Sequence, residues 1–397
     1  MWDRRVWRAA LKRLEGAWQR AVLGVLRSGC HVALAIRPLR RIDGKPPAPR
    51  SVIVFSTAGI GDTLSDTPAI RALRESFPAA RITAVVHRGR REVLTGNPHI
   101  DRLIPHAKGP VAFLRTLFAI RREAPDTAVT LRANDPDIWP LAYFSGARVI
   151  ASRPQMTRFP FLVNLPVDVP DWLELPGVTQ TLEVVRALGA ETTDPRMVYV
   201  VPEAAQRSVE GLLRDRGLTS GTLVAMQVHT SPRLTFRDWP VEHFVSLGRR
   251  IVAEYRVRLL ITGGRDDADA AHTVGAALGE SAEVVAGALG LAETAALFTR
   301  CRMLITTDTG IMHLGFAVGV PTLALLHPYN AERVGPHGYG QLHRVVLLNR
   351  SLWQGEDPPQ VGLDRLSPEQ AFHAFCDFWR EREVEAGRRG RPEEACP

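Results

Sequence analysis

Two aspartates follow a glycine-rich turn in the segment STAGIGDTLSDTPAI, residues 56–70. The turn at Gly59 and Gly61 comes after a short β-branched run and before a helical pattern, as phosphate-binding loops usually do. A phosphate cradle rarely contains carboxylates, because their charge repels the anion. Asp66 is interpreted as a residue of the helix start, where the helix dipole favours negative charge. Because Asp62 has no such explanation, the glycine-rich turn alone does not identify the group that this loop binds.

A second turn, in TDTGIMHLGFAVGVPTLALLHP (residues 307–328), has the most specific pattern in the chain. A predicted strand ends at Asp308, and Thr309 and Gly310 form the turn into a helix that carries His313 on its first turn. Free backbone N–H groups at such a helix start bind anions, Thr309 adds a hydroxyl donor, and Gly310 lets a diphosphate come close. The alternative interpretation is that Asp308 and Thr309 only cap the helix.

Charged residues follow two further predicted strands. Arg237 lies in the loop before Trp239 and Pro240, where it is a candidate clamp for a phosphate. The alternative is an ordinary solvated loop arginine. Asp266 and Asp267 come directly after another strand, where a carboxylate bonds sugar hydroxyls in dinucleotide-binding folds. Taken alone, these two aspartates are better explained as caps of the next helix.

The composition describes a globular chain of 397 residues, 45% hydrophobic and 23% charged, long enough for two or more domains. Four scattered cysteines without a CxxC pair argue against a zinc site or a disulfide framework and suit a reducing cytosol.

Residues 1–50 hold 12 Lys and Arg against 3 Asp and Glu, a balance of +9, and the rest holds 38 against 39, a balance of −1. The basic character therefore belongs to an N-terminal extension, and no nucleic-acid-binding motif is found. No DxD-type motif stands in a fitting context, so we expect no metal.

The N-terminal extension predicts a basic amphipathic helix followed by a Pro-rich linker at 41–50. The apolar positions are Trp7, Leu11, Leu14, Trp18, Val22 and Val25, and the basic residues, mostly on the other side, are Arg5, Arg8, Lys12, Arg13 and Arg20. Such a helix suits an anionic membrane surface, and docking on the protein's own surface is the alternative. We expect no transmembrane helix, since a span needs about 20 apolar residues and Arg27 interrupts the next apolar stretch. A signal peptide is not favoured, because acidic residues dilute its charged region and no clear cleavage site follows.

Short β-branched runs alternate with helical patterns along the body, which predicts parallel sheets flanked by helices. The predicted strands are 51–56, 81–87, 127–132 and 147–152 in the first half, and 222–229, 257–264, 302–308 and 321–327 in the second. Thr67 is the expected N-cap of the first helix, with Pro68 at its first position. We expect an extension at 1–50, a domain at 51–190, a linker at 191–208, a second domain at 209–365 and a C-terminal helix and tail at 366–397. Two α/β halves predict a cleft between them, with ligands beyond the carboxyl ends of the strands.

Three segments together make the chain resemble glycosyltransferase family 9, the ADP-heptose:lipopolysaccharide heptosyltransferases. They are GIGDTLSDTPAIRALRESFPAARI (59–82), RDWPVEHF (237–244) and DTGIMHLGFAVGVPTLALLHP (308–328), and their order and spacing match from about residue 51 to about residue 330. The resemblance implies a GT-B fold, two Rossmann-like domains facing across a cleft. It also implies that the N-terminal domain takes the acceptor, the C-terminal domain takes the nucleotide sugar, and no cofactor is needed besides the donor.

The resemblance assigns a reaction centre. Asp62 matches the family's proposed general base, in the loop formed by Gly59 and Gly61. The turn at 308–310 matches the segment that holds the diphosphate, and His313 matches the family's histidine. The reaction implied is an inverting transfer of heptose from ADP-heptose to a Kdo- or heptose-bearing lipid core.

The remaining donor contacts differ in detail from the family pattern. Arg237 stands where members usually have lysine, which keeps the charge but changes the geometry. Asp267 would contact the ribose, one methylene shorter than the usual glutamate, and Leu289 would line the adenine. Thr230 and Ser231 fall in the hydroxyl-rich turn after the first strand of the second half.

On the acceptor side, Arg88, Arg90 and Arg91 follow the second predicted strand. They are candidates to bind anionic Kdo or phosphate groups, and a solvated charge cluster is the alternative.

The expected enzyme is cytoplasmic and peripheral on the cytoplasmic face of the inner membrane, with contact through residues 1–30. Two other functions stay open. One is a related transferase with a protein or small-molecule acceptor, and the other is a non-catalytic nucleotide-sugar-binding protein, against which the presence of Asp62 argues.

Overall fold

The computed structural model describes residues 24–229, 235–353, 355–357 and 359–389. The chain divides into two compact units. The first unit contains the described residues up to Trp172 together with Val178–Thr193, and the second contains Leu173–Gly177 and the described residues from Asp194 onward. Each unit is built around one six-stranded parallel sheet.

The sheet of the first unit has the strand order β3-β2-β1-β4-β5-β6. Its strands are β1 (Ser51–Ser56), β2 (Arg81–His87), β3 (Arg102–His106), β4 (Thr127–Arg132), β5 (Val149–Ser152) and β6 (Leu165–Pro166). Its helices are α1 (24–36), α2 (Ile60–Ser65), α3 (Thr67–Ser76), α4 (Pro110–Arg121), α5 (Ile138–Phe144) and α6 (Gly177–Arg186), of which α6 begins at the unit boundary. This order is that of a Rossmann fold.

Strand β1 shows why the sheet is covered on both sides. Val52 and Val54 point into one apolar cluster, with α3 and α6, while Ile53 and Phe55 point into another, with α4 and α5. A strand that is buried on both faces has to be apolar at every position, because side chains alternate between the faces. The β-branched run of β1 meets that requirement.

The second unit repeats the arrangement with the order β12-β11-β10-β7-β8-β9. Its strands are β7 (Thr222–Gln227), β8 (Val257–Thr262), β9 (Ala282–Val284), β10 (Met303–Thr307), β11 (Thr322–Leu326) and β12 (His343–Leu347). Its helices are α7 (Glu203–Asp215), α8 (Val241–Glu254), α9 (Ala268–Leu278), α10 (Leu291–Thr299), α11 (Gly310–Val318), α12 (Ala331–Val334) and α13 (Pro368–Arg389). Phe375 and Phe378 of α13 are fully buried in the core formed with α8 and α9, so the C-terminal helix is part of this unit.

All eight predicted strands are present within two residues of their expected bounds, and the two-sheet α/β class is confirmed. Strands β3, β6, β9 and β12 were not predicted, because they are short or carry polar residues at the sheet edges. Helix α7 begins at Glu203, inside the segment expected to be a linker. The prediction of Thr67 as an N-cap is wrong, since Asp66 occupies that position and Thr67 is the first helical residue.

The part of the N-terminal extension that the structure describes packs on the first unit. Cys30 of α1 is fully buried, and Leu26 and Leu34 contact the same cluster as α4 and α5. Arg37, just after α1, donates to the carbonyl oxygens of Tyr143 and Ala147. The amphipathic pattern from Trp7 to Val22 lies outside the described residues. Among the described helices, none is long and apolar enough to cross a membrane.

Candidate active site

Each sheet has one place where the strand order reverses direction, between β1 and β4 in the first unit and between β7 and β10 in the second. Helices leave in opposite directions there, which opens a crevice beyond the carboxyl ends of the two strands, where α/β proteins bind ligands. Asp62 follows β1, Arg237 follows β7, and Asp308 follows β10. The topology thus brings the predicted residues of each unit to its own switch point.

Asp62 lies on the first turn of α2, which starts directly after Gly59. Its Oδ2 accepts the backbone N–H of Gly59 at 3.2 Å, and its Oδ1 accepts from Arg132 Nη1 at 2.9 Å. The side chain is 46% exposed, so a substrate hydroxyl can reach the carboxylate. The two contacts fix the orientation of a group that remains open to solvent.

Arg132, the last residue of β4, reaches this site because of an irregularity in the sheet. Phe55 of β1 pairs with Thr130, whereas the next residue, Ser56, pairs with Arg132, so Leu131 is an extra residue on β4. A bulge of this kind turns the following side chain toward the other face of the strand and is frequent beside active sites. The guanidinium lies next to the β1 loop, where it contacts Asp62.

Asp66 is fully buried beneath this pair. Ser56 Oγ donates to its Oδ2 at 2.5 Å, and its Oδ1 lies 3.9 Å from Arg132 Nε. Burial raises the pKa of Asp66 to about 8, against the opposing effects of Arg132 and Ser56. Asp66 does occupy the N-cap of α3, but its side chain makes no capping hydrogen bond. The interpretation as a helix-start residue alone is therefore incomplete, since the carboxyl group belongs to the network that holds Asp62.

The turn of the second unit starts α11. Thr309 is the N-cap residue, and its Oγ1 accepts the backbone N–H of Met312 at 3.3 Å, so the capping interpretation holds for Thr309. A Cβ on Gly315 would lie 2.5 Å from Leu304 Cδ2, so glycine lets α11 pack closely on β10 without displacing Leu304. Gly310 is the first helical residue and is partly exposed, so the helix start faces solvent.

Asp308 does not cap α11 but forms an ion pair with Arg237. The distance from Arg237 Nη1 to Asp308 Oδ2 is 2.9 Å, and both side chains are mostly buried. Asn330 also donates to Asp308 Oδ2. The arginine is thus not a freely solvated loop residue, and it lies beside a helix start that attracts anions.

Asp267 is buried at the N-terminus of α9, where its side chain makes no capping bond to that helix. Its Oδ2 accepts the backbone N–H of Gly264 at 2.9 Å, and His229 Nδ1 lies 3.1 Å from its Oδ1. Hydrogen bonding to Asp267 raises the pKa of His229 more than burial lowers it. The capping expectation is met for the 3₁₀ turn Arg265–Asp267 that leads into α9, since the Asp267 carboxylate accepts from its N-cap residue Gly264. The same carboxylate also ties the β8 loop to the end of β7 through His229.

The other predicted residues are placed as follows. Leu289 is partly buried in the loop between β9 and α10, and His313 is buried on α11. Arg88 and Arg91 are exposed and Arg90 is partly exposed on the 3₁₀ helix Arg88–Leu94. Their side chains make no ion pair with other residues that the structure describes. Thr230 and Ser231 lie outside the described residues.

A cavity of about 460 Å³ lies elsewhere, at the amino ends of β2 and β3. Its charged groups pair with one another, since Arg74 contacts Asp101 at 2.6 Å and Arg81 contacts Glu123 at 3.3 Å. Paired charges at the wrong end of a parallel sheet are poor evidence for a ligand site. Within the described ranges, no group of three or more His, Cys, Asp or Glu side chains is placed to hold a metal ion.

Comparison with known proteins agrees with this picture. The profile of glycosyltransferase family 9 (heptosyltransferase) matches residues 161–354. Lipopolysaccharide heptosyltransferase 1 of Pseudomonas aeruginosa is 26% identical over 311 residues, which cover 74% of this chain and 82% of that protein. The chain belongs to glycosyltransferase family 9. As a member of that family, it is a glycosyltransferase of the heptosyltransferase type.

Solved structures share the fold of this family 9 chain. A family 9 glycosyltransferase from Veillonella parvula superposes with a TM-score of 0.72 at 23% identity, over 84% of this chain and 97% of that one. The E. coli heptosyltransferase WaaC, solved with ADP, gives a TM-score of 0.63 at 19% identity, over 84% of this chain and 99% of the other. The GT-B class expected from the resemblance, with its two Rossmann-like units, is therefore confirmed.

Several residues of this family 9 site were missed by the sequence analysis. Arg132 and Ser56 are the last residues of predicted strands, but they were not considered as site residues. In a Rossmann fold β1 and β4 are neighbours, so a charged residue at the end of β4 is expected to lie near the loop after β1. The charge of Arg132 was therefore a usable signal. His229 likewise ended a predicted strand. Asn330 lies in a loop after β11 with no pattern of its own, and only the fold brings it to Asp308.

Proposed function

We propose that this family 9 member is an inverting heptosyltransferase, which moves a heptose from ADP-heptose to a hydroxyl of a lipopolysaccharide-core-type acceptor. The observation that carries the proposal is the half-exposed carboxylate of Asp62, held in one orientation at a switch point by Gly59 and Arg132. Asp66, by contrast, is fully buried with its partner Ser56, so a substrate hydroxyl has no access to its carboxyl group.

Asp62 is the general base of this mechanism. The acceptor hydroxyl attacks the anomeric carbon from the face opposite the ADP group, and Asp62 Oδ1 or Oδ2 takes its proton as the new glycosidic bond forms. One displacement inverts the configuration at that carbon. Arg132 keeps the carboxylate in place but leaves it open to the hydroxyl, so it acts as a positioning residue.

The second unit binds the donor and its leaving group. Negative charge grows on the diphosphate as the bond to the sugar breaks. The N-terminus of α11 at Thr309 and Gly310 offers backbone N–H groups, and the guanidinium of Arg237 lies beside it, held by Asp308. Fixed donors of this kind stabilise a developing charge without having to reorganise. Asp267 and Leu289 would hold the ribose and the adenine, and His313 would support the same turn.

On the acceptor side, the guanidinium groups of Arg88, Arg90 and Arg91, which form no ion pair with the described part of the chain, support binding of anionic Kdo or phosphate groups. An acceptor with a lipid tail lies in a membrane. We therefore assign the enzyme to the cytoplasmic face of the inner membrane, with peripheral contact through residues 1–30, whose basic amphipathic pattern suits an anionic surface.

A donor screen tests the substrate. The full-length protein is incubated with ADP-heptose, ADP-glucose, UDP-glucose, ADP and UDP, and protection against thermal unfolding is measured. We expect the adenine nucleotides to raise the unfolding temperature and ADP-heptose to release ADP only when a Kdo-bearing lipid acceptor is added. Stronger protection by UDP-sugars would overturn the donor assignment. Protection by ADP-heptose without acceptor-dependent ADP release from any lipid, protein or small-molecule acceptor would mark a binding protein.

A further inference from the structure

Helix α4 presents three large apolar side chains to solvent. Val111, Leu114 and Phe118 are 62%, 51% and 62% exposed. Their spacing of three and four residues places them on one face of the helix. The opposite face is already used, since Ile120 is fully buried and Leu117 packs against the core of the first unit. An apolar stripe left over after the helix has docked indicates a surface that binds another apolar body.

The charges around this stripe select the class of partner. Helix α4 contains no Asp or Glu, and Arg115 lies exposed among the apolar residues. Arg122 caps the C-terminal end of the helix, and neither Arg115 nor Arg122 uses its side chain in an ion pair or hydrogen bond with the described residues. Lys108, at the other end, is exposed and lies 3.7 Å from the carboxylate of Asp135. Apolar side chains bordered by exposed cations complement a bilayer with anionic headgroups.

Helix α1 extends the same surface. Its residues Val25, Val32 and Ile36 are exposed, while Cys30 on its other face is buried in the cluster that α4 also contacts. Helix α5 connects the two helices, because its residue Phe144 accepts from Arg121 of α4, and Tyr143 accepts from Arg37 after α1. Both exposed stripes therefore lie on the same side of the first sheet.

We propose that the exposed faces of α1 and α4 together form a docking surface for an anionic lipid bilayer, with Val111, Leu114 and Phe118 entering the headgroup region. The surface extends the contact proposed for residues 1–30 onto the folded first unit. It deepens the proposed function by positioning the acceptor-binding unit on the membrane that holds the acceptor. Its test needs neither donor nor acceptor, so a wrong substrate assignment and a wrong docking surface give different results.

Co-sedimentation of the full-length protein with vesicles tests the surface. One vesicle type contains phosphatidylcholine and phosphatidylglycerol, and the other contains phosphatidylcholine alone. The variant Val111→Ser/Leu114→Ser/Phe118→Ser removes the stripe, and Met156→Ser/Leu173→Ser/Val384→Ser removes three exposed apolar residues elsewhere as a matched control. We expect binding to anionic vesicles to fall about tenfold or more for the first variant, given the apolar area withdrawn, and to stay unchanged for the second. Arg115→Glu/Arg122→Glu should weaken binding to anionic vesicles only, and less so at high salt.

Three results would overturn the proposal. Wild-type binding by the stripe variant would mean that α4 does not touch the bilayer. A stripe variant that binds vesicles more tightly would mean that the stripe had covered residues 1–23 of this chain. A wild-type protein that is dimeric without lipid, and a stripe variant that is monomeric with unchanged vesicle binding, would identify a second copy as the partner. If the triple variant unfolds at a lower temperature, Phe118→Ser alone, whose side chain is largely outside the core, gives the same comparison.

Discussion

Arg132 donates from Nη1 to Asp62 Oδ1 across 2.9 Å, while its Nε lies 3.9 Å from the buried Asp66. One guanidinium thus lies between a half-exposed carboxylate and a buried carboxyl group. The first is the proposed base, and the second, with a pKa raised to about 8, keeps its proton at neutral pH. The guanidinium of Arg132 therefore forms its ion pair with the carboxylate of Asp62, and Arg132 determines the orientation of that carboxylate.

Replacement of Arg132 should reduce turnover without abolishing it. We expect Arg132→Met to lower kcat by about tenfold to a hundredfold, because the carboxylate loses its fixed orientation and misplacement is costly in a proton transfer. Arg132→Lys keeps the positive charge but not the planar guanidinium, so its kcat should lie between those of Arg132→Met and the wild type. Steady-state rates of ADP release with a lipid acceptor give the values. Equal rates for Met, Lys and wild type would contradict a positioning role.

Asp62→Asn should abolish base catalysis while leaving the donor bound. The amide keeps the size of the carboxylate and one acceptor oxygen for Gly59 or Arg132, but it accepts no proton, so kcat should fall by about 10² to 10⁴. The dissociation constant of ADP should not change, because the proposed donor contacts lie in the second unit. Glu174→Gln, an exposed acid-to-amide change, is the control. Near-normal turnover of Asp62→Asn would show that another group takes the proton.

The stability of the protein should depend on pH through Asp66. The folded carboxyl has a pKa of about 8 because of burial, while the unfolded group ionises near pH 4. Between these values the folded state binds one more proton than the unfolded state, so stability is fully present below about pH 4 and falls as pH rises to about 8. Asp66→Asn removes this titration and still accepts from Ser56.

Urea unfolding at pH 5 and pH 8 measures the effect. Relative to wild type, Asp66→Asn should gain about 3–4 kcal/mol in free energy of unfolding between pH 5 and pH 8. The exposed Asp171→Asn serves as a control and should follow the wild type. A constant difference between Asp66→Asn and wild type at both pH values would mean that Asp66 ionises like an exposed aspartate.

The sequence was sufficient for the periodic elements and for the turns between them. β1 and β2 have their predicted bounds because a doubly covered strand must be a continuous apolar run. The bulge that turns Arg132 toward Asp62 could not be predicted, since it depends on how β4 pairs with β1 and not on either strand alone. Asp66 was assigned to a helix start because the local sequence pattern predicts where a helix begins. Its burial could not be predicted in this way, since it depends on residues of β1 and β4.

The second unit shows the same limit. The sequence placed Asp308 and Arg237 after separate strands, and each fitted a local role as a cap or a solvated loop residue. Their ion pair follows only from the order of β7 and β10 in the sheet, which brings the two strand ends together. Long-range pairing of charges is therefore the part of the site that depends on topology.

The pair formed by His229 and Asp267 should add a second, smaller pH dependence. The pKa of His229 is raised by its hydrogen bond to Asp267, so its contribution to stability is present below about pH 6.5 and is lost as pH rises through the higher folded value. Because the histidine is about one-third exposed, at 35%, screening should keep this below about 1 kcal/mol. His229→Gln should remove the dependence, and His229→Gln/Asp267→Asn should behave like the single variant. A pH profile unchanged by His229→Gln would show that the pair does not form in solution.

Arg237 should determine how tightly the diphosphate binds. We expect Arg237→Ala to weaken ADP binding by about tenfold to a hundredfold, the equivalent of one charge-assisted hydrogen bond. Arg237→Lys should recover part of this affinity, because it restores the charge without the planar fork. Isothermal titration with ADP and with adenosine separates the causes. A contact to phosphate predicts a loss for ADP and none for adenosine, whereas a general distortion of the site would weaken both. Arg207→Ala, on the exposed face of α7, is the control.

Arg237→Ala also leaves the buried Asp308 without its cation, so the free energy of unfolding should fall by about 1–3 kcal/mol, which Arg237→Lys should largely restore.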